Sequence, residues 1–157
     1  MKKIYLTLSL VTMMFIPSIT FGNIIDKLNE AGKFNKLNET LAKSGLNENL
    51  KGAGPFTVFA PLDDAFAAIS AKTYYGLLRE ENKDKLVNIL GRHVFSKKIT
   101  SSEIDGEVKL KAINGEEITI KKVNGIVYIN EAEVVTADVE VSNGVIHYIN
   151  RVLQPLK

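Results

Sequence analysis

The sequence predicts an α+β fold in which helices are grouped ahead of an antiparallel sheet, in one domain. Three observations point there. Apolar residues recur at helical spacing through residues 23–50 and again through 73–90. Beyond Arg92 the period shortens to two, in short β-branched runs separated by Asn114-Gly115 and Asn124-Gly125. Between the helical stretches, residues 54–69 read GPFTVFAPLDDAFAAI, an apolar strand that stops and becomes an apolar helix.

Residues 1–22 are read as a signal peptide rather than as fold. Lys2 and Lys3 form a basic start, residues 4–16 are apolar with only small hydroxyl residues and one tyrosine as relief, and small residues precede a cut after Gly22. The apolar run is shorter than the roughly 20 residues of a spanning helix, so no stable membrane anchor is expected after cleavage. Residues 23–157 then form the working domain. The chain has 20 basic and 18 acidic residues, and the two classes come level once Lys2 and Lys3 leave. A general polyanion or nucleic-acid role thereby loses its simplest support. With no cysteine, the core holds the fold without disulfides.

Ile24, Ile25 and Leu28, then Phe34, Leu37 and Leu41, mark two amphipathic helices that Gly32 and Gly45 stop. Residues 46–50 add one short helical turn. Phe56, Thr57, Val58, Phe59 and Ala60 have almost no polar relief, which predicts a strand covered on both faces. Pro61 ends it, and Leu62, Phe66 and Ile69 recur at helical spacing with Asp63 and Asp64 where a helix N-terminus favours negative charge. Residues 73–79 and 84–90 are predicted helices. Strands are predicted at 93–95, 108–113, 118–123, 126–129 and 134–141, and the two Asn-Gly pairs predict turns in which both residues take positive φ. Lys109 and Lys111 alternate with Leu110 and Ala112, so one face of this ribbon is wet.

The GPFTVFAP segment with Ala65-Phe66 resembles the first signature of the fasciclin-like domain family, and residues 143–155, NGVIHYINRVLQP, resemble its second. The resemblance covers nearly all of the chain after residue 22. It implies the fasciclin-like β-wedge with a helical side layer, and it makes Phe56, Phe59, Pro61, Phe66, Gly144, His147 and Pro155 structural motif residues. Leu62 stands where the family has threonine, which moves the expected N-cap to Asp63. Asn150 stands where the family has aspartate and keeps an acceptor without the charge.

The family often carries a Tyr-His pair implicated in adhesion; here the matching residues are Arg92 and His93. An Asp-Ile pair taken as an integrin contact in animal matrix members is matched by Asp138 and Val139. These four are the candidate partner-binding residues. From the residues alone, Arg92 reads as a solvated strand entrance and Asp138 as the outward position of an alternating strand. His147, between Val145 and Ile149 on one strand face, reads as a neutral core histidine bonded at both nitrogens.

Two histidines, no cysteine and no ligand spacing predict no metal site and no cofactor. No nucleophile stands beside a candidate base, so no catalytic residue is assigned. Asn38-Glu39-Thr40 has the letters of a glycosylation sequon on a predicted helix. Lys97, Lys98, Lys109, Lys111, Lys121 and Lys122 suit strand edges that resist unwanted pairing. The expected function is an exported binding module in adhesion or in matrix or envelope association, at the cell surface, in the periplasm or outside the cell, with a protein or surface polysaccharide as partner. A periplasmic carrier of a small apolar ligand or lipid is the alternative, and it requires an apolar pocket.

Overall fold

The computed structural model describes residues 21–154; of the signal-peptide reading over residues 1–22, residues 1–20 lie outside the described residues, as does Pro155. Three helices come first: α1 (Ile24–Ala31), α2 (Asn35–Ser44) and α3 (Leu46–Leu50). Gly32 and Gly45 end α1 and α2 at positive φ, as their positions after the last apolar turn require. Strand β1 (Phe56–Pro61) follows, then a 3-10 helix (Asp63–Ala68), α4 (Ala71–Leu77) and α5 (Lys83–Gly91). Strands β2 (Val94–Phe95), β3 (Glu107–Lys111), β4 (Glu117–Val123), β5 (Ile126–Ile129), β6 (Ala132–Val141) and β7 (Gly144–Ile149) complete the chain.

The sheet order is β2-β1-β7-β6-β5-β4-β3. The sheet is not wholly antiparallel, because β1 and β7 run parallel, from Phe56 opposite Gly144 to Pro61 opposite Ile149. The two signature segments are therefore neighbouring strands. Glycine at 144 is required by that closeness rather than by its backbone angles, since a Cβ there would lie 1.9 Å from the Phe56 carbonyl oxygen. Strand β6 pairs with β5 at Ala132 and Glu133 and with β7 from Val134 onward, and so joins the two halves of a wedge.

Two cores lie on opposite faces of β1, as a strand with no polar relief demands. Val58 and Ala60 pack with Ile146 against Leu28, Leu37, Leu41 and Leu90 of the helical layer. Phe59 points the other way, into the wedge, with Phe95, Ile118, Ile120, Ile129 and Ile149. The Phe59 and Phe95 rings meet edge-on at 5.6 Å.

Several local expectations change. Asp63 does not cap the turn it begins; Leu62 holds the N-cap place without a side-chain bond, and the segment is a 3-10 helix. The Asp63 carboxylate instead accepts from the Lys36 backbone N–H and from the Asn35 side-chain amide, both at 2.9 Å, and so caps α2 from a distant part of the chain. Helix α4 begins two residues before the predicted start because the Ser70 hydroxyl caps it through the Thr73 N–H. Asn124 and Gly125 both take positive φ, but at the other turn only Gly115 does, where the Asn114 side chain accepts the Glu116 N–H. Strand β6 does not alternate throughout: irregularities between Val134 and Thr136 and between Thr136 and Val139 interrupt its pairing with β7.

Candidate functional site

His147 lies on β7 inside the wedge, 1% exposed and stacked on Phe59 with ring centroids 4.9 Å apart. Its Nδ1 accepts the Asp138 backbone N–H at 3.1 Å, and its Nε2 donates to the Ile99 carbonyl at 2.7 Å. A donor at Nδ1 leaves the ring proton on Nε2. Burial lowers its pKa, against the opposing pull of the Ile99 carbonyl and the Asp138 charge, so the ring is neutral near pH 7. The expected core histidine with both nitrogens engaged is what the fold contains.

What His147 holds is the interrupted stretch of β6. Asp138 stands there at φ 60°, an angle aspartate tolerates better than most residues. Its carboxylate accepts the Ser101 N–H at 2.7 Å and the Ser101 hydroxyl. Burial raises the Asp138 pKa, but the Ser101 bonds and the His147 and Lys122 environments outweigh it, leaving the carboxyl below its ordinary value. From Val135 through Asp138 the chain is exposed. Val135, beside the first irregularity, is 47% exposed. Across a cleft lined by Lys122, Glu133 and Ser101 stands Ile126, 40% exposed. Val139, next along β6, is half-buried and packs toward the helical core.

Arg92 and His93 sit elsewhere and are not at a solvated strand entrance. Arg92 follows α5 and is 4% exposed; its Nε and Nη2 grip the Glu116 carboxylate, with Nη2 to Oε1 at 2.7 Å. This cation closes the C-terminal end of α5, where positive charge is favoured. The Arg92 bond, together with Arg92's charge, draws the Glu116 pKa down despite burial. Arg92 Nη1 is buried with no hydrogen-bond partner. His93 is also buried: Nδ1 donates to the Ile89 carbonyl at 2.8 Å, and Nε2 accepts the Leu153 N–H at 2.9 Å. Burial, with a smaller push from Arg92, takes its pKa down to about 4. Of the four candidate contact residues, then, Asp138 alone is presented to solvent.

The other motif residues carry structure. Phe59 and Phe66 are buried, Pro61 ends β1 beside the helical layer, and Phe56 is half-buried over the helical core. Asn143 was not singled out by its letters, yet its side chain joins three segments. Its Oδ1 accepts the Ile24 N–H at the start of α1, and its Nδ2 donates to the Leu50 and Gly52 carbonyls after α3. Thr57 behaves similarly, donating its hydroxyl to the Lys97 carbonyl and accepting the Ile99 N–H. For Thr57 the legible signal is a polar residue inside an apolar run, which is costly unless paired; Asn143, between Ser142 and Gly144, carries no such mark.

The sequence model of the fasciclin domain matches residues 32–155. Protein sll1483 of Synechocystis is 49% identical over 123 residues, which cover 78% of this chain and 67% of that protein. Transforming growth factor-beta-induced protein ig-h3 of Sus scrofa is 35% identical over 151 residues, 96% of this chain but only 22% of its own length. The chain thus spans a small part of that larger relative. Among solved structures, a FAS1 domain pair from the insect cell adhesion molecule fasciclin I superposes with a TM-score of 0.76 at 21% identity, over 87% of this chain and 52% of that one. Paired signature strands, a wedge with a helical layer and these matches together establish that the chain belongs to the fasciclin domain family.

Proposed function

We propose that this protein is an exported binding module that adheres to a protein or polysaccharide of a cell surface, matrix or envelope through the bulged face of β6. The observation that carries the proposal is the exposed run from Val135 through Asp138, held from beneath by His147 and flanked by Ile126. Apolar side chains beside a fixed carboxylate suit recognition: the apolar groups supply area, and the charge sets orientation. Both histidines have each ring nitrogen engaged with backbone, so neither stands free as a general base, which favours binding over turnover. A fasciclin I domain pair comes from a molecule described as a cell adhesion molecule, in keeping with the same class of task. The basic, then apolar, N-terminal sequence supports export.

The test is adhesion of cells, or retention of envelope and medium components, on immobilised protein. Val135→Ser combined with Ile126→Ser should weaken retention about tenfold, while the melting temperature stays close to the parent's. Parent protein that retains nothing, or a double variant that retains as well as the parent, would overturn the assignment of this face.

A further inference from the structure

A second feature lies on the helical side, away from β6. A cavity of about 210 Å³ opens between the 3-10 helix, α4, α5 and the C-terminal segment. Buried Phe66, Leu86 and Leu90 form its floor, and half-buried Leu77, Ile89 and Val152 surround its mouth. Its polar lining is already committed inside the protein. The Thr40 hydroxyl donates to the Leu37 carbonyl at 2.7 Å, and the Thr73 hydroxyl pairs with Ser70 at 2.9 Å. The Tyr74 hydroxyl donates to Glu39 at 2.6 Å, and both His93 nitrogens are bonded to backbone. Among the described residues, only the Gln154 side chain, exposed where the cavity meets solvent, is left to meet a polar group.

Such a space suits hydrocarbon better than water. A water molecule needs two to four polar partners, and an apolar cavity of about 150 Å³ stays dry and takes benzene. We infer that this cavity is a binding site for an uncharged hydrocarbon group of about six to eight carbons. A charged or strongly polar group would surrender its hydration with nothing inside to replace it. Any polar end of the ligand therefore stays at the mouth, beside Gln154. The shared chemistry is a short hydrocarbon, supplied either by a free small molecule or by the end of a lipid acyl chain.

Methyl-resolved NMR of the purified protein tests this, with toluene and decanoic acid as probes. Toluene should move the methyl signals of Leu77, Leu86, Ile89 and Leu90 saturably and, at about ten times its Kd, raise the melting temperature by about 4 °C. Leu77→Phe and Ile89→Phe, on two different helices, should each fill the space and reduce the shifts at least about fivefold, so that one suffices if the other misfolds. Decanoic acid moving the same methyls more tightly than toluene supports the site and names an acyl chain as its source. Toluene binding without decanoic acid supports a free small hydrocarbon. The inference fails if neither probe gives saturable shifts, if the shifts fall equally on wedge methyls such as Ile118 and Val127, or if both filling variants bind as the parent does.

Discussion

Each histidine of this protein accepts a backbone N–H on one ring nitrogen and donates to a carbonyl with the other, so each ties two segments together only while neutral. For His93 the consequence is a pH dependence of stability. The unfolded chain binds the ring proton near pH 6.5, whereas the folded chain resists it down to about 4. Between those values the unfolded state holds more protons, so stability is full above pH 6.5 and is lost as pH falls toward 4, by roughly 3 kcal/mol. His147, whose pKa is also lowered, acts in the same direction. Denaturant unfolding of the parent and of His93→Gln from pH 7.5 to 4.5 should show a steeper fall in the parent. Equal slopes would mean that His93 is not the neutral latch described. Arg92 gives a different asymmetry. Glu116→Ala strands a buried guanidinium that already has one unpaired nitrogen, and should cost about 3 kcal/mol. Arg92→Met keeps an apolar stem and removes the charge, and should cost under about 1 kcal/mol, because half-exposed Glu116 returns to water. Urea melts of the two variants at pH 7 separate these values.

Among the elements, α2 shows how a helix end can depend on residues far along the chain. Phe34 occupies its N-cap place but has no side chain able to accept a bond; its ring is buried edge-on against Tyr148 at 4.8 Å. Asp63 supplies the missing acceptor, and its own N–H donates to the Lys33 carbonyl at 2.9 Å. Asp63→Ala should therefore destabilise the protein by about 1 kcal/mol, as loss of a local cap would, and Asp63→Asn by less. Thermal unfolding decides it; an Asp63→Ala melt matching the parent would show that water serves the α2 terminus equally well. The turn after Pro61 has no such acceptor, since Leu62 precedes it and Asp63 is engaged by α2.

Across the whole molecule, the central strands β1 and β7 are buried on both sides and joined in parallel, whereas β3 is an edge strand of alternating exposure. Opening β1 or β7 requires disruption of both cores at once. Amide hydrogen exchange should be slowest in β1 and β7, approaching the global unfolding rate, and about a hundredfold or more faster in β3. Comparable protection in the two places would mean that the wedge and the helical layer do not share a cooperative centre. The exchange map also bears on the β6 surface: Ala137 and Asp138 lie at the irregular stretch, and the Asp138 amide should be protected by its bond to His147 despite the exposure of its side chain.

Periodicity, breakers and turn residues determined most of the elements from the sequence alone, because their causes are local. Gly32 and Gly45 stop helices through their own backbone freedom, and Asn124-Gly125 makes its turn from two adjacent residues. The burial of His147 was legible for a related reason: its strand neighbours share its face. Tertiary structure decided what depends on distant partners. The parallel pairing of β1 with β7, the burial of Arg92 by Glu116, the capping of α2 by Asp63 and the three-way role of Asn143 all join residues well separated in sequence. On β6, alternation in the sequence already places Asp138 outward. What the tertiary structure adds is the interrupted pairing, beside which Val135, Thr136 and Ala137 are exposed together with Asp138; a bulge arises from a mismatch between two strands, and neither strand carries it alone.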